Sequence, residues 1–172
     1  IINVERINSH GGSIRVTVAK KISNRKQNLK NINNLIFKKK IKKLNYKLTY
    51  TNFFKSIEKE KVSLNKFFET LKNENIYGYG APAKAVTLIN YFKLDISNFK
   101  FIIEDSALKQ NKFIPGTKIK IVSSDILNLD KNDKVIFILA WNVYEDIVNK
   151  IKQYKYIKYI IVPFPKLKII KI

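Results

Sequence analysis

Gly78, Gly80, Pro82 and Lys84 carry the clearest chemical signal in the sequence. They lie within Ile76 to Tyr91, IYGYGAPAKAVTLINY, which opens as a short strand, turns on the two glycines and continues as a helix. Pro82 suits a first helical position, because its ring fixes φ and its missing N–H would have had no partner there. Ala83, Ala85, Val86, Leu88 and Ile89 then supply an apolar helical face. A strand, a glycine turn and a helix N-terminus together offer unpaired amides, the positive end of the helix dipole and no side chain in the way. That combination is a receptacle for negatively charged oxygen, and Lys84 in the first turn adds a cation. The alternative is a turn that is merely tight.

The chain beyond this corner alternates strands and helices, the pattern of an α/β domain. Strands are expected near 76, 99, 119, 134 and 156, with helices after the first and fourth and a single turn after the third. Pro163 and Pro165 are expected to end the last strand. Connections of this kind are right-handed and bury a parallel sheet on both faces. The strand Phe99 to Ile103 ends in Glu104-Asp105-Ser106. Glu104 follows Gly80 by about 24 positions, near the spacing at which a dinucleotide-binding fold sets an acid against a ribose hydroxyl. It reads equally as a cap for the turn that follows. Lys109 to Thr117, KQNKFIPGT, is an irregular loop turning at Pro115-Gly116 and expected to overhang the carboxyl edge of the sheet. Trp141 and Asn142 end the strand VIFILA, and Trp141 reads as a cap on the core. Ligands of open parallel sheets sit outside the carboxyl ends of the strands. That rule gathers Gly78, Tyr79, Gly80, Lys84, Glu104, Asp105, Lys112, Phe113, Trp141 and Asn142.

Ile1 to Lys20 reads as a hairpin, with Ile14, Val16 and Val18 alternating with polar positions around the turn Ser9 to Ser13. His10 in that turn is either a ligand contact or a residue that satisfies the turn. Since a lone hairpin is marginal in water, it is expected to pair with a further sheet. Asn24 to Lys47 suggests a short amphipathic helix, with Lys38 to Lys43 as its solvated face. A longer helix is expected from about Thr51 to Asn73, its stripe of Phe53, Phe54, Ile57, Leu64, Phe67, Phe68 and Leu71 packing on a sheet.

With 172 residues, 45% of them hydrophobic, the chain is long enough for one good core. It has no Cys and one His, which argues against a disulfide framework or a zinc centre within these residues. The longest apolar runs are too short to span a bilayer, and no basic-then-apolar leader stands at the start, in keeping with a cytoplasmic protein. The opening, strand-like and without Met, reads as that of a fragment. The net charge of +21 is carried almost wholly by lysine, since only Arg6, Arg15 and Arg25 are arginine. Bidentate recognition of bases and phosphates favours arginine, so the reading is a solvated lysine surface rather than a nucleic-acid groove.

Four motifs in order, HGGSIRVTV, GYGAPAKAVTLINY, KQNKFIPGT and VIFILAWN, resemble the C-terminal domain of sugar C-methyltransferases, and the similarity covers nearly the whole chain. The family is one of three-part, S-adenosylmethionine-dependent enzymes acting on nucleotide-linked 4-keto-deoxysugars. The resemblance implies an α/β, Rossmann-like, mostly parallel sheet flanked by helices over 75–172. It implies a β-hairpin left from a preceding methyltransferase domain at 1–20, and a helical linker and long helix at 21–74. Zinc, S-adenosylmethionine and the catalytic base are expected in the missing N-terminal part, with no cofactor, metal or catalytic residue in these residues. The implied partners are a nucleotide-linked sugar and the methyltransferase domain of the same chain, with neither nucleic acid nor membrane. The implied contacts are Tyr77, Gly78, Tyr79, Gly80, Ala81, Pro82, Lys84, Glu104, Asp105, Lys112, Phe113, Pro115 and Asn142, with His10 and Arg15 as further candidates for the sugar. Where the family commonly has Gly, this chain has Ala85. The isolated chain is expected to be inactive. The competing reading is an NAD-dependent oxidoreductase-type domain built on Gly78, Gly80 and Glu104, although a third fingerprint glycine is lacking.

Overall fold

A computed structural model of the chain describes residues 1–9 and 12–172. The chain divides into two compact units, Ile1–Glu60 and Lys61–Ile172.

In the first unit β1 (Asn3–Ile7) and β2 (Ser13–Thr17) form an antiparallel hairpin in which Val4 faces Val16 and Glu5 faces Arg15. Helix α1 (Leu29–Ile41) starts at Asn28, whose side chain accepts the amide of Asn31 at 3.2 Å. Lys38, Lys39 and Lys40 fall in its last turn, where positive charge suits the helix dipole. Asn31 ties the helix to β1 through the carboxamide of Asn3, at 3.0 Å. Val4 is buried, but Ile14, Val16 and Val18, expected to be half-buried, stay exposed. The helix packs on β1, and a two-stranded sheet with one strand covered leaves the apolar side chains of the other in water.

Helix α2 (Lys47–Thr70) begins four residues earlier than the hydrophobic stripe suggests and ends three earlier. Only Leu64 and Phe68 of the stripe are buried, while Phe53 and Phe54 are exposed. The expectation that the whole stripe packs on a sheet therefore holds for its C-terminal half alone.

The second unit is a six-stranded sheet of β3 (Ile76–Tyr79), β4 (Phe101–Ile103), β5 (Ile121–Val122), β6 (Lys134–Ile138), β7 (Ile157–Val162) and β8 (Lys168–Lys171). Its order is β5-β4-β3-β6-β7-β8, parallel throughout except that β8 runs antiparallel to β7. The five parallel strands match the expected positions. The sixth was not expected, because the two prolines read as a stop. They end β7, and the chain then turns back to pair Lys168 with Val162 and Lys171 with Tyr159. An edge strand with lysine at both ends discourages pairing with another chain.

Helix α3 (Ala83–Phe92) links β3 to β4, the short α4 (Ile126–Leu129) precedes β6, and α5 (Tyr144–Ile151) links β6 to β7. Right-handed crossovers leading to opposite sides of the sheet place α3 and α5 on opposite faces. On the α5 face Tyr77, Tyr79, Ile136, Ile138 and Ile160 meet Ile147 and Ile151. On the other, Phe137 packs against Phe68 and Phe99 with ring centres 5.2 and 5.6 Å apart. Both β3 and β6 are buried along their whole length, as expected for central parallel strands. Lys134 is fully buried. Its ammonium donates to the carbonyls of Asp130 and Asn132 at 2.6 and 2.7 Å, and so caps the end of α4.

Candidate functional site

Strands β3 and β6 are neighbours, but their chains leave in opposite directions, β3 to β4 and β6 to β7. The loops that follow them diverge at the carboxyl edge, and this switch point is where open sheets form the crevice that holds ligands. The glycine corner forms one wall. Gly80 has φ +93°, and a Cβ there would lie 2.7 Å from that of Ala140 in the opposite wall. Glycine therefore serves both the turn and the close approach of the two loops. Gly78 has a packing reason instead, since a Cβ would meet Leu139 and Ile102 at 2.7 and 2.8 Å.

Lys84, in the first turn of α3, spans the crevice. Its ammonium donates to the side-chain oxygen of Asn142 and lies 4.3 Å from the centre of the Trp141 ring. Burial pulls its pKa below the usual lysine value. Trp141 opens a 3₁₀ turn (Trp141–Val143) and is partly exposed. The ring of Phe164, from the loop after β7, meets it edge-on at 5.1 Å.

The amides expected to fan out for an anion are largely taken. The N–H of Gly80 donates to the carbonyl of Ile103 at 2.8 Å, and that of Ala81 to the carboxylate of Glu104 at 2.8 Å. The other Glu104 oxygen accepts the amide of Ser106 at 3.1 Å, and Lys109 pairs with the carboxylate at 3.3 Å while also donating to the Ala81 carbonyl at 3.1 Å. Burial alone would raise the Glu104 pKa, but these donors outweigh it and hold the acid below its usual value. Of the two readings of Glu104, a ribose acceptor or a cap on the following turn, this geometry is the second. Pro82 has no N–H, and its carbonyl accepts the amides of Ala85 and Val86 at 2.9 and 3.3 Å. The amides of Ala83 and Lys84 have no acceptor within the helix.

Beside the crevice on the α5 face, the hydroxyl of Tyr79 donates to Asp105 at 3.0 Å, and Lys150 of α5 reaches the same carboxylate at 2.6 Å. Burial, followed by the charge of Asp105, pushes the Tyr79 phenol up to about 12.

The sequence-derived contacts divide accordingly. Tyr79, Gly80, Ala81, Pro82, Lys84, Glu104, Asp105 and Asn142 come together at this edge. Tyr77 does not. Its hydroxyl bonds Asp130, just ahead of β6 at the amino edge, where Lys100 also pairs with Asp130 at 3.2 Å. Nor do Lys112, Phe113 and Pro115. Their loop folds back along β5 rather than overhanging the carboxyl edge. The carbonyl of Lys112 accepts the amide of Ile121 at 2.8 Å, Phe113 bridges to Lys120, and the carbonyl of Pro115 accepts from Asn90 near the end of α3. An edge strand with open backbone groups draws such a loop onto itself. Arg15 belongs to the first unit and pairs with Glu5 at 3.7 Å. His10 lies outside the described residues.

Sequence reasoning gathered Trp141 at the carboxyl edge but read it as a core cap and left it out of the implied contacts, and it passed over Phe164, Lys109 and Lys150. Trp141 directly follows an apolar strand at the switch point, a signal that was available. The other three are scattered in sequence, and nothing local distinguishes them from the chain's many other lysines and aromatics.

Among the described residues no helix is long and apolar enough to cross a membrane. A family model described as C-methyltransferase C-terminal domain matches residues 8–165. The C-methyltransferase NovU of Streptomyces niveus is 24% identical over 156 residues, which cover 90% of this chain and 37% of NovU. The chain thus spans little more than a third of the length of that relative. The match extends through the hairpin turn, the glycine corner, the crevice loops and β7, and the chain belongs to the family of C-methyltransferase C-terminal domains.

Proposed function

We propose that this chain is the substrate-binding domain of an S-adenosylmethionine-dependent C-methyltransferase, that its substrate is a nucleotide-linked deoxysugar, and that the β3–β6 crevice receives the nucleotide portion. The observation that carries the reading is the meeting of Lys84, Trp141 and Asn142 across a topological switch point, within a chain of this family. A cation, a flat aromatic ring and a carboxamide suit a ligand that joins phosphate to planar and hydroxyl-bearing rings. The sheet order resembles the Rossmann-like arrangement, with an added antiparallel edge strand.

Methyl transfer to carbon beside a keto group needs a base, a partner for the developing oxyanion and a methyl donor. In this reading those lie in the methyltransferase domain of the same polypeptide, in the cytoplasm, along with bound zinc. The present residues bind and orient. Lys84 draws the phosphates, Asn142 takes a polar group of the ligand, and the Tyr79–Asp105–Lys150 cluster fixes the wall behind them. The proposed division of the chain is a hairpin at 1–20, a linker and long helix at 21–74, and the binding domain at 75–172.

The competing nicotinamide-cofactor reading asks Glu104 to accept from a ribose, but both of its oxygens are already engaged by Ala81, Ser106 and Lys109. Calorimetric titration with a nucleotide-linked deoxysugar and with NADH separates the two. The expected outcome is binding of the first alone, weakened about tenfold or more in Lys84→Ala by loss of a charge-assisted contact. Binding of NADH alone would overturn the assignment, and undiminished sugar-nucleotide binding in the variant would remove Lys84 from the site.

A further inference from the structure

We propose that the indole face of Trp141 now covered by Lys84 is the platform on which the nucleobase stacks, with Lys84 swinging from it to the phosphates. This rests on the function proposed above and adds which side chain takes the base.

The ring of Trp141 is held by packing. Phe164 meets it edge-on at 5.1 Å, and the residue packs against the buried cluster that includes Ile138 and Ile147. On the crevice side, its cover is the Lys84 ammonium, 4.3 Å from the ring centre. A cation over an indole marks a face that is electron-rich and reachable. This cover is movable, being the tip of a flexible four-carbon stem.

The lysines at this edge differ in their partners. Lys109 is held by Glu104 and Lys150 by Asp105. Among the described residues no carboxylate pairs with Lys84, whose ammonium rests on a neutral carboxamide and a ring. Phosphate oxygen is the stronger partner for an ammonium, so an arriving diphosphate takes Lys84 and bares the indole for the ring attached to it. Every base has a π-face, so such a platform accepts purine and pyrimidine alike.

Trp141 is the only tryptophan in the chain, so indole emission reports on this site alone. The 172-residue chain is titrated with uridine diphosphate, adenosine diphosphate and inorganic pyrophosphate, following heat and emission together. Both nucleotides are expected to bind and quench the emission, and pyrophosphate to change it far less. Trp141→Leu should weaken nucleotide binding about tenfold while leaving pyrophosphate binding within about twofold, and Trp141→Phe, which keeps a ring, should restore most of the loss. Nucleotide heats with no change in emission, or an equal loss of pyrophosphate binding in Trp141→Leu, would overturn the platform and leave the proposed function standing. Absence of any nucleotide heat in the unmutated chain would overturn both.

Discussion

The carboxylate of Glu104 accepts the backbone amide of Ala81 at 2.8 Å, so the glycine corner carries an anion of its own. One acidic side chain thereby joins the ends of β3 and β4 and takes a donor that the turn would otherwise turn toward the crevice. Its side chain is 14% exposed, so the contact is shielded from water. Glu104→Ala should lower stability by about 1–3 kcal/mol, the cost of leaving a buried amide without its charged acceptor. Urea unfolding measures it, and Lys109→Met, which removes only an exposed partner, should cost less than about 1 kcal/mol.

Acid should weaken the fold through two identifiable groups. The hydrogen bond from Tyr77, the amide of Asn132 and the nearby Lys100 hold Asp130 far below the usual carboxylate range, and Glu104 is also lowered. A carboxylate depressed by folding stabilises the native state above its unfolded value and loses that contribution as pH falls toward the folded one. Stability should therefore decline below about pH 5, the upper end of ordinary carboxylate titration. Asp130→Asn should be less stable at pH 7, with the gap from the unmutated chain narrowing by pH 3. Thermal unfolding across that range checks both statements.

Gly80→Ala should cost at least about 2 kcal/mol, combining a left-handed backbone with crowding against Ala140. Gly12, also at positive φ, has open space around its Cβ position, so Gly12→Ala carries the backbone strain alone and should be the milder of the two. Chemical denaturation of the pair separates strain from contact.

The glycine corner, the five parallel strands and the two crossover helices were legible because each has a short-range cause, whether apolar run, turn residue or helical period. What escaped depends on long-range partners. Pro163 and Pro165 correctly end β7, but nothing local says that Lys168 to Lys171 returns to pair with it. The KQNKFIPGT loop has turn residues that fix its bend, not the direction in which it lies, and the backbone of β5 decides that. The stripe on α2 has one period along its length, yet only its last turns meet the sheet. Glu104 was the most instructive residue. Its spacing from the glycines admits two roles, and only the position of Ala81 and Lys109 tells them apart.

The isolated 172 residues should transfer no methyl group. Incubation with labelled S-adenosylmethionine and a nucleotide-linked 4-keto-deoxysugar should leave the label in the donor, and turnover above background would show that a catalytic base lies within this chain.

The most direct test of the β3–β6 crevice is to map amide and indole resonances of the chain during titration with a nucleotide-linked deoxysugar. Shifts should concentrate at Gly80, Ala81, Lys84, Asn142 and the Trp141 indole, with Tyr77, Lys112 and Phe113 little changed. Shifts centred on the β5 loop or the amino edge, with the crevice silent, would contradict the account.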